Sequence, residues 1–184
     1  MFTHYSLDTL LGHSLTAIGR AADLVWWIFD VDGAEYSLHT QCTFRVLHDG
    51  EAVLSRSDIY CIRDDKPLGR DNSWFDYDVA ELAPLLPAKV VSIECSEMND
   101  LTICTENGLR IEIWAAESPE HEQWRFFRHI PKSDDPHLVA YGNYGLRMST
   151  QKGTCLFGKS PFIPQNFPSA PGTIPHFPSS FPKS

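Results

Sequence analysis

The stretch YSLHTQCTFR, residues 36 to 45, sets His39, Gln41, Thr43 and Arg45 on alternate positions of a strand-like run. Downstream, Arg56, Asp58 and Tyr60 repeat that alternation. If the two runs pair, an imidazole, a carboxylate, a phenol and two guanidiniums share one face, because side chains of a strand alternate between its sides. Same-face neighbours then lie about 6.7 Å apart along a strand and about 5 Å across it. Such a set could clamp an anion, with His39 as acid or base, or offer a protein partner a charged hot spot. The plainer reading is a solvent-facing surface in which Asp58 is stitched to Arg56 or Arg45, each exposed pair contributing about 0–1 kcal/mol.

Nucleophilic catalysis finds no footing. Cys42 and His39 fall on opposite faces of one strand and cannot form a thiolate–imidazolium pair, which reads Cys42 as core. Ser55 and Ser57 lie on the core side without a Gly-x-Ser-x-Gly elbow. The eight histidines are dispersed, and none forms HxH or HExxH. Neither a metal nor a cofactor is called for.

The elements that must position these residues are mostly strands. Val25 to Phe29, VWWIF, is β-prone and runs into the turn-like Asp30-Val31-Asp32-Gly33. EYSLHTQCTFRVL and AVLSRSDIYCI flank Asp49-Gly50, a strong two-residue hairpin signal. With that loop, His48 faces Glu51 and Val46 faces Val53. Leu38, Thr40, Cys42, Phe44 and Val46 then share a core face with Val53, Ser55, Ser57, Ile59 and Cys61. The opposite face pairs His39 with Tyr60, Gln41 with Asp58 and Thr43 with Arg56. A one-residue slip would exchange every partner. WFDYDVAELAPLLP predicts a short helix limited by Pro84 and Pro87, and SLDTLL a helical turn capped by Ser6. KVVSIECSE, DLTICTE and LRIEIW form further strands, the last two joined at Asn107-Gly108. QWRFFRHI reads as another strand, and HLVAYGNYGLRMS as one more.

The chain has 184 residues, enough for one globular domain over residues 1–159 and an extension over 160–184. A body of about 150 residues buries roughly 70 % of its unfolded surface and needs no staple. Five cysteines without a CxxC pair read as buried, reduced thiols rather than a disulfide framework. MFTHYSLDTLLGHS has no basic and apolar leader, and LVWWIF is too short to span a bilayer, so the expected location is the cytosol, without membrane association. With scattered cations and a net charge of −9, nucleic acid is an unsuitable partner and a basic protein a suitable one.

Two further regions are candidates for binding. Seven acids and three bases lie between Asp58 and Glu81, where Trp74, Phe75 and Tyr77 alternate with Asp76 and Asp78. Core packing of Trp74 and Tyr77 is the plain reading; on the surface they would make a hot spot of aromatics ringed by carboxylates. From Ser160 onward, seven prolines and four phenylalanines (Phe162, Phe167, Phe177 and Phe181) make a polyproline-like tail whose rings could anchor in a groove, either on this body or on an assembly partner.

The segments GRAAD, LHTQCTFR, SRSDIY, NDLTICTENGLRIEIW and EQWRFF together resemble a loosely defined group of small bacterial proteins, similar in part to the immunity partners of bacterial toxins. The resemblance spans roughly residues 18 to 130, rests on Arg20, His39, Arg45, Asp58, Tyr60, Trp124 and Arg125, and leaves out the tail. Together with the acidic body and the lack of a catalytic constellation, this resemblance points to a non-enzymatic protein that binds another protein, as an immunity partner covering a toxin would. The expected fold is a single α+β domain, a curved and mostly antiparallel sheet with one or two short helices. The expected binding residues are His39, Arg45, Arg56, Asp58, Tyr60 and Trp74, joined by the four tail phenylalanines.

Overall fold

The computed structural model of the chain describes residues 6–65, 72–116, 121–129, 136–142, 145–149 and 155–156. A 3₁₀ turn at Leu7–Leu10, capped by the Ser6 hydroxyl, leads into the strands β1 (Ser14–Ala21), β2 (Leu24–Val31) and β3 (Ala34–Thr40). Next come β4 (Thr43–His48), β5 (Glu51–Ser55), a 3₁₀ turn at Arg56–Ile59, and helix α1 (Trp74–Leu82). A second meander holds β6 (Ala88–Cys95), β7 (Leu101–Thr105) and β8 (Leu109–Trp114). The described strands end with β9 (Glu122–Arg128), β10 (His137–Tyr141), β11 (Gly145–Ser149) and β12 (Cys155–Leu156).

All pairings are antiparallel, in the order β12-β11-β10-β9-β3-β2-β1-β6-β7-β8-β4-β5. The fold is therefore a mostly antiparallel sheet with one short α-helix among the described residues. Among the described residues its two halves meet in strand register at Ser14–Lys89 and Leu15–Ala88, extended by backbone hydrogen bonds of Gly12 and His13 with Val90. The core also joins them: Trp27 of β2 meets Phe44 of β4 edge-on at 5.5 Å, and Phe44 meets Phe75 of α1 at 6.2 Å. The buried indoles keep their polar ends satisfied, Trp27 Nε1 donating to Thr40 Oγ1 and Trp124 Nε1 to the carbonyl of Asn99. No helix among the described residues is long and apolar enough to cross a membrane.

The run read as one strand from residue 35 to 47 is two. β3 lies in one half of the sheet and β4 in the other, and the chain changes halves at Gln41-Cys42. The alternation survives the corner, so Leu38, Thr40, Cys42, Phe44 and Val46 are all buried, as the pattern requires. Asp49 and Gly50 do form the loop, at φ 52° and 88°, the left-handed pair that a two-residue hairpin of this twist needs. Beyond it the register departs from expectation. His48 faces Glu51, but a bulge at Val53 sets Val46 opposite Leu54 and Arg45 opposite Ser55. Leu54, which the expected register would set opposite Arg45 on the polar face, is thereby turned into the core.

Other departures are smaller. The strand expected to continue through Tyr60 stops at Ser55, where the Asp58 carboxylate takes the Ser55 N–H and closes a 3₁₀ turn. Asn107-Gly108 belongs to a three-residue loop, Glu106 to Gly108, with the Thr105 hydroxyl bracing the Leu109 N–H. HLVAYGNYGLRMS yields two strands, β10 and β11. Of the four cysteines whose side chains are described, Cys42 alone is buried.

Candidate functional site

The bend at Gln41 and the turn after Ser55 scatter the polar face inferred from sequence. His39 pairs in register with Trp26 on one side and Arg125 on the other. Its ring sits edge-on to Phe127 at 4.8 Å, and Phe127 stacks on His137 at 4.3 Å. Arg125 forks onto Glu122, with Nε donating to Oε1 at 2.6 Å. Burial, aided by the Arg125 cation and by His137 and His129, lowers the His39 pKa to about 4 against the opposing pull of Glu122. His39 is thus a neutral, packed ring.

Arg45 lies in the other half of the sheet. It donates from Nε to Glu112 Oε2 at 2.5 Å and covers the Trp114 ring at 5.0 Å, while Arg110 holds the second Glu112 oxygen at 2.8 Å. Arg56 is a brace. Its Nη1 reaches the carbonyls of Asp23 at 3.2 Å and Cys42 at 3.4 Å, and its Nη2 the Tyr60 hydroxyl at 3.3 Å. Asp58 is occupied by the Ser55 N–H at 2.6 Å and the Ser55 hydroxyl at 2.8 Å. His39, Arg45, Arg56 and Asp58 therefore form no common anion clamp, and the small-ligand reading built on that clamp loses its geometry. Phe162, Phe167, Phe177 and Phe181 lie outside the described residues.

Trp74 and Tyr77 correct the core expectation. They stand on the surface, 45 % and 41 % exposed, and with Tyr60 and Ile62 they supply four of the eight large hydrophobic side chains exposed among the described residues. Their placement follows from the helix. Ser73 caps α1, its hydroxyl accepting from the Asp76 N–H while Asp76 reaches back to the Ser73 N–H, both at 3.3 Å. That fixes the helical phase. Phe75, Val79 and Leu82 face the core, and Trp74, Tyr77, Asp78 and Glu81, spaced i, i+3, i+4 and i+7, form the outer stripe. Arg20 anchors the same turn to β1 by a two-pronged contact with Asp76, at 2.9 and 2.6 Å.

The stripe is preorganised. Trp74 and Tyr77 meet edge-on at 5.6 Å, and the Arg63 guanidinium lies 4.9 Å from the first ring centroid and 4.1 Å from the second. Arg63 also donates to Asp65, from Nε at 2.9 Å and from Nη2 at 2.8 Å. Arg63 Nη1 is shielded from solvent with no hydrogen-bond partner among the described residues, so the ring faces are what it packs on. The backbone bridge between Ile62 and Ser73 ties the stretch carrying Tyr60 and Ile62 to the helix start.

Past Tyr77 the stripe becomes acidic and borders a groove of about 730 Å³ between α1 and β5. Ala52, Val53, Leu54, Leu82 and Leu85 line it, with Asp58, Asp78, Glu81 and His48 around them. Burial, the Asp58 charge and the Glu81 charge raise the Asp78 pKa, with Arg63 opposing. Ile62, Arg63 and Glu81 were missed as binding residues from sequence; the spacing of Glu81 with Trp74, Tyr77 and Asp78 was there to read once Ser73 is taken as the cap, whereas Ile62 and Arg63 precede the helix and carry no such signal. The comparisons add no relative, since no protein-family model, curated protein or solved structure matches the chain.

Proposed function

We propose that the protein is a non-enzymatic binding protein that covers a basic protein partner with the outer face of α1, in the manner of an immunity protein neutralising a toxin. The observation that carries this reading is the ridge of Trp74 and Tyr77, surface-exposed yet held in one geometry by their mutual contact and by Arg63. Rigid aromatics lose little entropy on docking and dominate interface energetics where they occur. Asp78 and Glu81 on the same stripe, and the net charge of −9, favour a cationic partner and speed its approach.

The test is affinity capture from host lysate with the full chain and with the double variant Trp74→Ala/Tyr77→Ala. A basic protein held stoichiometrically by the wild type, and at least about tenfold more weakly by the variant, is the expected result. A partner retained equally by both chains would place the interface elsewhere, and no partner at all would remove the reading. The variant should stay folded, its stability changing by about 1 kcal/mol or less, because both side chains are surface residues.

A further inference from the structure

The groove beside α1 is walled on its other side by β5, and among the described residues β5 ends the strand order. Its outer edge therefore carries backbone groups with no neighbouring strand. In a two-residue hairpin the pair flanking the loop exchanges hydrogen bonds, so Glu51 is turned to β4 and Ala52 directs its N–H and C=O to the open edge. At the far end the Asp58 carboxylate takes the Ser55 N–H and stops the ladder.

An open edge, an apolar lining and a carboxylate border describe a recognisable kind of ligand. We propose that the groove between β5 and α1 accepts an extended lysine- or arginine-rich segment of the protein partner, which adds as a strand to the edge of β5. The identification rests on the protein-binding reading above and names the partner's chemistry. Aliphatic stems of lysine or arginine cover Val53, Leu54, Leu82 and Leu85, and their charged ends reach Asp58, Asp78 and Glu81. Burial, with the charges of Asp58 and Glu81 beside it, raises the Asp78 pKa against the pull of Arg63, and a partner's cation at this border would offset the cost of the Asp78 charge. The chain's own residues 160–184 suit the groove poorly, because their seven prolines lack the N–H that a strand must donate.

The test uses the isotope-labelled full chain and a short capped peptide alternating lysine and valine, followed by amide chemical shifts. Binding should move the amides of residues 52–55 and the outer face of α1. Methylating alternate peptide nitrogens, which blocks strand pairing and leaves charge intact, should weaken binding at least about tenfold. Replacing lysine by glutamate in the peptide, or Asp78→Asn with Glu81→Gln in the protein, should weaken it similarly. Equal affinity for the methylated peptide, or shifts that spare β5, would overturn strand addition. The methylated peptide leaves the protein unaltered, so that arm holds even where a variant fails to fold. Trp74→Ala/Tyr77→Ala separates the two proposals. If it loses the captured partner while the wild type ignores the peptide, strand addition falls and the binding face stands.

Discussion

At the scale of single residues, His39 shows how a side chain that reads as reactive becomes structural. Its ring is held neutral against Phe127 beside the Arg125–Glu122 pair, with a pKa of about 4 instead of 6.5. The unfolded chain takes up a proton near pH 6.5, while the folded chain resists until about pH 4, so acidification through that window favours unfolding. Urea midpoints measured from pH 7 to pH 4 should therefore fall, and His39→Gln should flatten that segment of the curve. An imidazole of His39 titrating near its ordinary value by NMR would refute the assignment. Gly19 makes a second residue-level case. A Cβ there would lie 2.1 Å from the Trp26 indole, so the ring occupies the space above the glycine across the β1–β2 ladder. Gly19→Ala should cost about 1–3 kcal/mol by overpacking, partly recovered by adding Trp26→Val, as denaturant melts would show. Nothing in the sequence marked this contact, because glycine in GRAAD has no pattern that names the ring lying over it.

At the scale of elements, α1 is the piece on which the proposed binding face depends. Asp76 both closes the cap with Ser73 and holds Arg20 on β1, so its removal loosens the helix start and its tether together. Asp76→Ala should destabilise by roughly 1–2 kcal/mol through the cap alone, read as a shift in melting temperature. The Arg20 hydrogen bonds and those from Ser73 depress the Asp76 pKa, outweighing its partial burial. Its contribution is therefore complete near neutrality and is lost only as pH falls through the depressed value. Sequence made the strands legible, since alternation and Asp-Gly or Asn-Gly loops are local signals. The cap Ser73-x-x-Asp76 was equally local, and reading it would have put Trp74 and Tyr77 on one outer stripe. What local patterns could not show was the passage from one sheet half to the other at Gln41, since burial alternates through the corner unchanged. The bulge at Val53 was likewise hidden, because a single extra residue is decided by cross-strand packing and by the turn that Asp58 closes.

At the scale of the whole molecule, the two sheet halves share little backbone but one core, with Trp27, Phe44 and Phe75 in sequence across it. They should unfold together, tryptophan fluorescence and far-ultraviolet dichroism giving coincident transitions; separate midpoints would show two units. The charge of −9 acts at the same scale. Association with a basic partner should slow as salt rises, with a smaller effect on dissociation, in stopped-flow or surface-binding kinetics. The central claim, that α1 with the adjoining β5 edge is the face that meets a protein partner, is tested most directly by hydrogen exchange of the captured complex against the free chain. The account expects new protection concentrated in residues 51–55 and 72–85. Protection gathered instead around His39, Arg125 and Phe127, with α1 unchanged, would contradict it.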